Sequence, residues 1–210
     1  MPIEAFIFDM DDVLCTYDVG RRIEALAGLS GRSAAEIHAA IWQTDFLDRA
    51  DRGDFSADDY LGEFGRRLGR SLTRAEWVEA RRLSMTPDQP MLTLVKELGQ
   101  KHQLALLTNN DRLLAEMLDA LFPELRPLFG KHLYVSAELG LAKPDPEIFR
   151  AVCKKLDVKT EAAFFIDDLA VNIAGAKEAG LDGHVFAGYR GFCDALSIKG
   201  VAIKEASFHG

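Results

Sequence analysis

The 210-residue chain is 48% hydrophobic and 28% charged, an ordinary globular composition with ample material for a buried core. Its length suits one large domain or a core with a small accessory domain. A formal net charge of −8 argues against nucleic acid and anionic membrane surfaces as partners.

That acidity also means that any bound phosphate must be shielded from the chain's own carboxylates, which points to a metal ion. The three cysteines, Cys15, Cys153 and Cys193, show no CxxC spacing, and no Cys or His pair falls at a zinc-ligand interval. They read as reduced thiols of a cytoplasmic protein. The N-terminal MPIEAFIFDMDD carries acid where a signal peptide carries base, and no apolar stretch approaches the roughly 20 residues of a membrane span.

Ile3 to Phe8 form a short apolar run that ends abruptly at Asp9, the pattern of a buried strand delivering acid at its carboxyl end. From about Thr16 to Thr86 the character turns helical, with no convincing strand. Helix starts show capping spacing at Ser33 with Glu36, Ser56 with Asp59, and Thr73 with Glu76. Ile37, Ile41 and Trp42, then Tyr60, Leu61, Phe64 and Leu68, supply apolar stripes, and DRADRGDF reads as a charged turn between them. This block is expected to be a helical insertion.

Pro87 and Pro90 mark the return. Met91 to Leu98 is helical, Gln103 to Leu107 is a strand, and the helix after it is broken by Pro123 and Pro127. His132 to Val135 reads as a strand, followed by a loop through Lys143 and Pro144. Asp145 and Pro146 start a helix that runs to about Leu156, as a cap followed by an N1 proline. Ala163 to Ile166 is a strong strand ending in Asp167 and Asp168, the next helix stops near Gly180, and Gly183 to Ala187 gives a further strand.

Strands alternating with helices imply an α/β fold with a parallel sheet covered on both faces. Its ligand crevice lies outside the carboxyl ends of the strands. Asp9, Thr108, Lys143 and Asp168 fall at or near such ends, so positions far apart in sequence should converge on one rim.

An aspartate such as Asp9 can act as a nucleophile, and a second carboxyl at Asp11 can serve the leaving oxygen and then a water. Taken alone, that pair is more often a solvated turn. The second doublet, Asp167 and Asp168, offers the hard oxygen ligands that Mg2+ takes, although a helix N-terminus also favours acid. Thr108 and Asn109 offer a hydroxyl, an amide and backbone N–H groups as a phosphate cradle, or simple capping. Lys143 is the fixed cation that such a crevice needs. A phosphate dianion about 5 Å from one carboxylate meets roughly 7 kcal/mol of repulsion at an effective dielectric near 20. Without Mg2+ and Lys143 the crevice would repel its substrate.

In order and spacing, DMDDV, LTN, the lysine of KPDP and the Asp pair of IDDLAVN resemble the motifs of the haloacid dehalogenase (HAD) superfamily over nearly the whole chain. The resemblance implies a Rossmann-like core formed by residues 1–15 and 87–210, with residues 16–86 as a helical cap. It implies Asp9 as nucleophile, Asp11 as general acid and base, Thr108 and Asn109 on phosphate, and Lys143 bridging phosphate to Asp9. Mg2+ would be held by Asp9, the backbone carbonyl of Asp11 and Asp168, with Asp167 a ligand or supporting partner and Asn172 behind a metal-bound water. FLDRADRGDFSADDY and KHLYVSAELGLAKPDPEIF are similar to the bacterial alpha-glucose-1-phosphate phosphatase branch, which makes Arg49 and Arg52 candidate cap contacts to substrate. Asp12 stands where the superfamily commonly has glycine.

The expected activity is Mg2+-dependent hydrolysis of a small phosphate monoester, a sugar phosphate among the candidates, through an aspartyl-phosphate, by a cytoplasmic monomer or homodimer. Three rivals share parts of this pattern. A haloacid dehalogenase would attack carbon without metal, a phosphosugar mutase would use the same catalytic set, and a receiver-like signalling domain would hold its phosphoryl group without turnover.

Overall fold

The computed structural model describes residues 2–203. In chain order, β1 (Ala5–Phe8) and β2 (Cys15–Tyr17) precede a helical run of α1 (Val19–Ser30), α2 (Ala34–Ile41), α3 (Phe46–Asp51), α4 (Ala57–Leu68) and α5 (Arg74–Arg82). Then follow β3 (Met85–Pro87), α6 (Gln89–Leu98), β4 (Gln103–Thr108), α7 (Arg112–Leu121), α8 (Leu125–Phe129), β5 (Leu133–Val135) and α9 (Ser136–Leu139). The chain continues through α10 (Pro146–Leu156), β6 (Ala163–Asp167), α11 (Ala170–Glu178), β7 (Asp182–Val185) and α12 (Tyr189–Ile198).

Strands β5, β4, β1, β6 and β7 lie side by side in that order, all parallel, with β1 at the centre. β1 is apolar without alternation because both its faces are covered. Phe6, Phe8, Leu104, Leu106, Phe164 and Ile166 point into one apolar layer, and Ala5, Ile7, Ala105, Leu107, Ala163 and Phe165 into the other. Each buried phenylalanine contributes about 2 kcal/mol of apolar transfer. This is a Rossmann-like α/β fold.

The three expected helix starts are present. Ser33 and Thr73 form capping boxes with Glu36 and Glu76, and the Ser56 hydroxyl accepts from the Asp59 N–H. Phe46 of α3 stacks on Tyr60 of α4 with ring centroids 5.2 Å apart, and Tyr60, Phe64 and Leu68 make one buried stripe. Helices α4 and α5 pack on α7, and Arg74 ties them there by pairing with Asp58 at 2.7 Å and Glu116 at 2.5 Å.

Three expectations change. The segment read as free of strands contributes β2 and β3, which pair antiparallel with Cys15 opposite Pro87, Thr16 opposite Thr86 and Tyr17 opposite Met85. Such a pairing joins residues too distant in sequence for any local pattern to show it. The charged turn DRADRGDF begins inside α3, where Ala50 is buried. Pro127 sits within α8 rather than breaking it, in a first turn whose N–H groups have no helical partner to lose. Among the described residues, no helix is long and apolar enough to cross a membrane.

Candidate active site

The ends of β1, β4 and β6 and the loop before α10 open on one cavity of about 460 Å³. Its lining includes Asp9, Asp11, Asp12, Thr108, Asn109, Lys143, Asp168 and Asn172. Asp9 follows β1 directly, Thr108 closes β4, and Asp167 closes β6, so parallel pairing in register brings the three to one edge.

Lys143 holds the floor together. Its ammonium lies 2.8 Å from Asp9 Oδ1 and 2.7 Å from Asp167 Oδ2, with the lysine side chain only 1% exposed. Burial works against that charge, but Asp9 and Asp167 overcome it and hold the ammonium above its ordinary value. Burial also pushes the carboxyl of Asp9 up to about 7; Lys143 opposes this, while Asp167 and Asp11 add to it.

Asn109 fixes the lysine's main chain, donating from Nδ2 to the Lys143 carbonyl at 2.8 Å and accepting the Lys143 N–H on Oδ1 at 2.9 Å. Each polar atom of its side chain, expected on phosphate, thus has one partner, and Asn109 still lines the cavity. The Thr108 hydroxyl is buried and accepts from Asn110 Nδ2 at 2.8 Å.

Asp167 is fully enclosed and fully satisfied. Besides Lys143, it accepts the Leu169 N–H at 2.8 Å and the Asn172 amide on both oxygens at 3.0 Å. Asn172, expected behind a metal-bound water, therefore orients a carboxylate. Asp168 is partly open, and burial together with the adjacent Asp167 raises its carboxyl above the ordinary value.

Carboxylate oxygens of Asp9, Asp167 and Asp168 lie within 4.8 Å of one another. Three carboxylates against one ammonium leave an excess of negative charge, and hard oxygen donors at this density fit Mg2+. Asp9 and Asp168 are the less encumbered donors.

Arg49 pairs with Asp54 at 3.0 Å and lies over Phe55, and neither it nor Arg52 belongs to the described lining of the cavity. Asp51 of the same stretch, likewise outside that lining, has its carboxyl pushed up to about 7, first by burial and then by Asp111 and Asp48, with Arg81 and Lys143 opposing. A second residue missed in the sequence is Arg81, which donates to Asp11 Oδ2 at 2.5 Å. Its signal was spacing: Arg81 lies one turn after the buried Trp77 and so shares the inner face of α5.

Asp12 has a φ of 58°, the left-handed conformation that favours glycine. Its Oδ1 accepts the Tyr17 N–H at 3.0 Å, which holds the turn with an aspartate in place.

Residues 3–180 match the family model described as haloacid dehalogenase-like hydrolase. Over 187 residues the chain is 29% identical to a D-ribitol-5-phosphate phosphatase of Bacteroides thetaiotaomicron, covering 86% of this chain and 90% of that protein. It is 30% identical over 190 residues to a phosphatase of Mycobacterium tuberculosis, with 86% of each covered. A sesquiterpene phosphatase of Aspergillus oryzae is 27% identical, covering 86% of this chain and 88% of its own. In fold, the chain is similar to a HAD family enzyme of B. thetaiotaomicron solved with magnesium and inorganic phosphate, at a TM-score of 0.77 and 23% identity, covering 89% of this chain and 96% of that one. Motifs, fold and sequence likeness agree: the chain belongs to the haloacid dehalogenase-like hydrolase family.

Proposed function

We propose that this enzyme is a Mg2+-dependent phosphatase acting on small phosphate monoesters, with Asp9 as the nucleophile. The observation that carries the reading is Lys143, a buried ammonium shared between Asp9 and Asp167 on the floor of the acidic cavity. The fixed cation and the fixed carboxylate are already oriented toward one another, which is the preorganisation that phosphoryl transfer rewards.

In the first half-reaction an Asp9 oxygen bonds to phosphorus as the ester P–O bond breaks, and Asp11 gives a proton to the departing oxygen. In the second, Asp11 takes a proton from water, whose oxygen displaces the Asp9 carboxylate and frees inorganic phosphate. Thr108 and Lys143 hold the phosphoryl oxygens, and Asp167, Asn172 and Asn109 keep Lys143 and Asp9 in place. Asp9, Asp168 and the Asp11 carbonyl would hold Mg2+, which when bound neutralises charge on phosphate and favours ionised Asp9.

The helical run of residues 16–86 serves as the cap, and its Asp51 lies within electrostatic reach of Lys143. Relatives named for a polyol phosphate and for a sesquiterpene support a catalytic floor that is indifferent to the organic moiety, with selection left to the cap.

A panel of phosphorylated metabolites, assayed for inorganic phosphate with and without Mg2+, tests the reading. Phosphate release should need the metal and vanish in Asp9→Asn. Turnover that survives Asp9→Asn, or halide release in place of phosphate, overturns it.

A further inference from the structure

Asp11 is gripped from the helical side of the molecule. Arg81, in the last turn of α5, donates from Nη2 to Asp11 Oδ2 at 2.5 Å, and its side chain is 3% exposed. The other carboxylate oxygen, Oδ1, faces the Cys15 thiol at 3.8 Å. The guanidinium carbon stands 3.9 Å from the Tyr17 ring centroid, and the Tyr17 hydroxyl accepts from Arg22 Nη1 at 3.0 Å. Arg22 in turn lies among Trp42, Phe64 and Trp77 in the interior of the helical run. A continuous set of contacts therefore leads from the aromatic interior, through Tyr17 and Arg81, to the carboxylate two residues after the nucleophile.

Stability alone does not account for this arginine. Its Nε is buried with no partner, a costly state for a charged donor. A buried ion pair is also weak evidence of stabilisation, since apolar residues of similar volume commonly replace one at no loss. The pair does restrict the direction in which the Asp11 carboxylate can point, and general acid–base work depends first on geometry.

We propose that Arg81 is a positioning residue for the reaction: it aims the Asp11 carboxylate at the ester oxygen and couples that aim to the packing of α1 and α5. This rests on the phosphatase reading above, in which Asp11 serves the leaving group.

The test compares first-turnover alcohol release from two esters by the full chain with Mg2+. The leaving group of p-nitrophenyl phosphate departs as a stable phenolate and needs no proton, whereas the alkoxide of an alkyl phosphate does. Arg81→Met should slow release from the alkyl ester about 100-fold more than from the nitrophenyl ester, and Arg81→Lys should recover part of the difference. In the Asp11→Asn background, adding Arg81→Met should leave the ratio between the two esters unchanged. Equal slowing of both esters, or a further change of that ratio without Asp11, overturns the assignment. A wild-type chain that releases alcohol from neither ester overturns the phosphatase reading itself, which separates the two failures.

Discussion

Gly175 of α11 lies so close to Pro144 that a β-carbon built on it would stand 2.0 Å from the proline carbonyl oxygen. The helix that follows the Asp167–Asp168 doublet is thereby seated directly on the loop that carries Lys143. No other residue type permits this approach.

Gly175→Ala gains helix propensity of about 1 kcal/mol, but the clash is with backbone and cannot be relieved by a rotamer. Overpacking against backbone at about 2–3 kcal/mol should win, lowering Tm by roughly 2–8 °C for a chain of this size. Activity should fall with it. Unchanged melting and full turnover would show that the loop and helix can separate without consequence.

Removing the ammonium leaves Asp9 and Asp167 facing each other uncompensated. Lys143→Met should destabilise the metal-free chain by about 3–5 kcal/mol and make its Tm more responsive to Mg2+ than that of the wild type. Scanning calorimetry with and without millimolar Mg2+ checks both parts, and a smaller metal response in the variant would count against the shared-cation floor.

Asp51 gives a pH dependence with a definite sign. Its folded-state pKa is raised from 3.8 to about 7, so the unfolded chain ionises first and the folded state loses stability as pH rises through that window. Asp51→Asn abolishes the loss. The variant should therefore match wild type in Tm near the lower end and exceed it near pH 8. Thermal melts across the window decide the point, and a variant less stable than wild type at pH 8 would contradict the burial of this carboxyl.

Asp12 separates strain from hydrogen bonding. Asp12→Gly relieves a left-handed conformation worth about 1 kcal/mol and forfeits a hydrogen bond worth about the same, so its Tm should barely move. Asp12→Ala keeps the strain and loses the bond, at about 1 kcal/mol. Equal stability of the two variants would mean that the left-handed conformation costs nothing at this position.

Much of the sheet was legible because β1, β4 and β6 are covered on both faces and therefore read as apolar runs ending in polar residues. The capping boxes at Ser33 and Thr73 announce α2 and α5 through purely local chemistry. Helix α12 has no such signal, since its N-cap, Gly188, has no side chain to cap with. The acidic doublets and Lys143 could be read because their chemistry is unusual at strand ends. Arg81 and Asp11 stand 70 residues apart, and nothing local distinguishes Arg81 from Arg82 beside it except which face of α5 each occupies. Asp51 was hidden likewise, in a run of charges that looks solvated although the last residue of α3 is half-buried.

The antiparallel pairing of β2 with β3 has a mechanical consequence. The chain leaves the parallel sheet and returns to it through neighbouring three-residue strands, and Cys15, at the start of the outgoing one, also bridges to Asp11. Any rocking of the helices between these strands must pass as torsion through this ribbon, within a few residues of Asp9. A ligand that draws those helices inward would thus be sensed first at Asp11, the group proposed to serve its leaving oxygen.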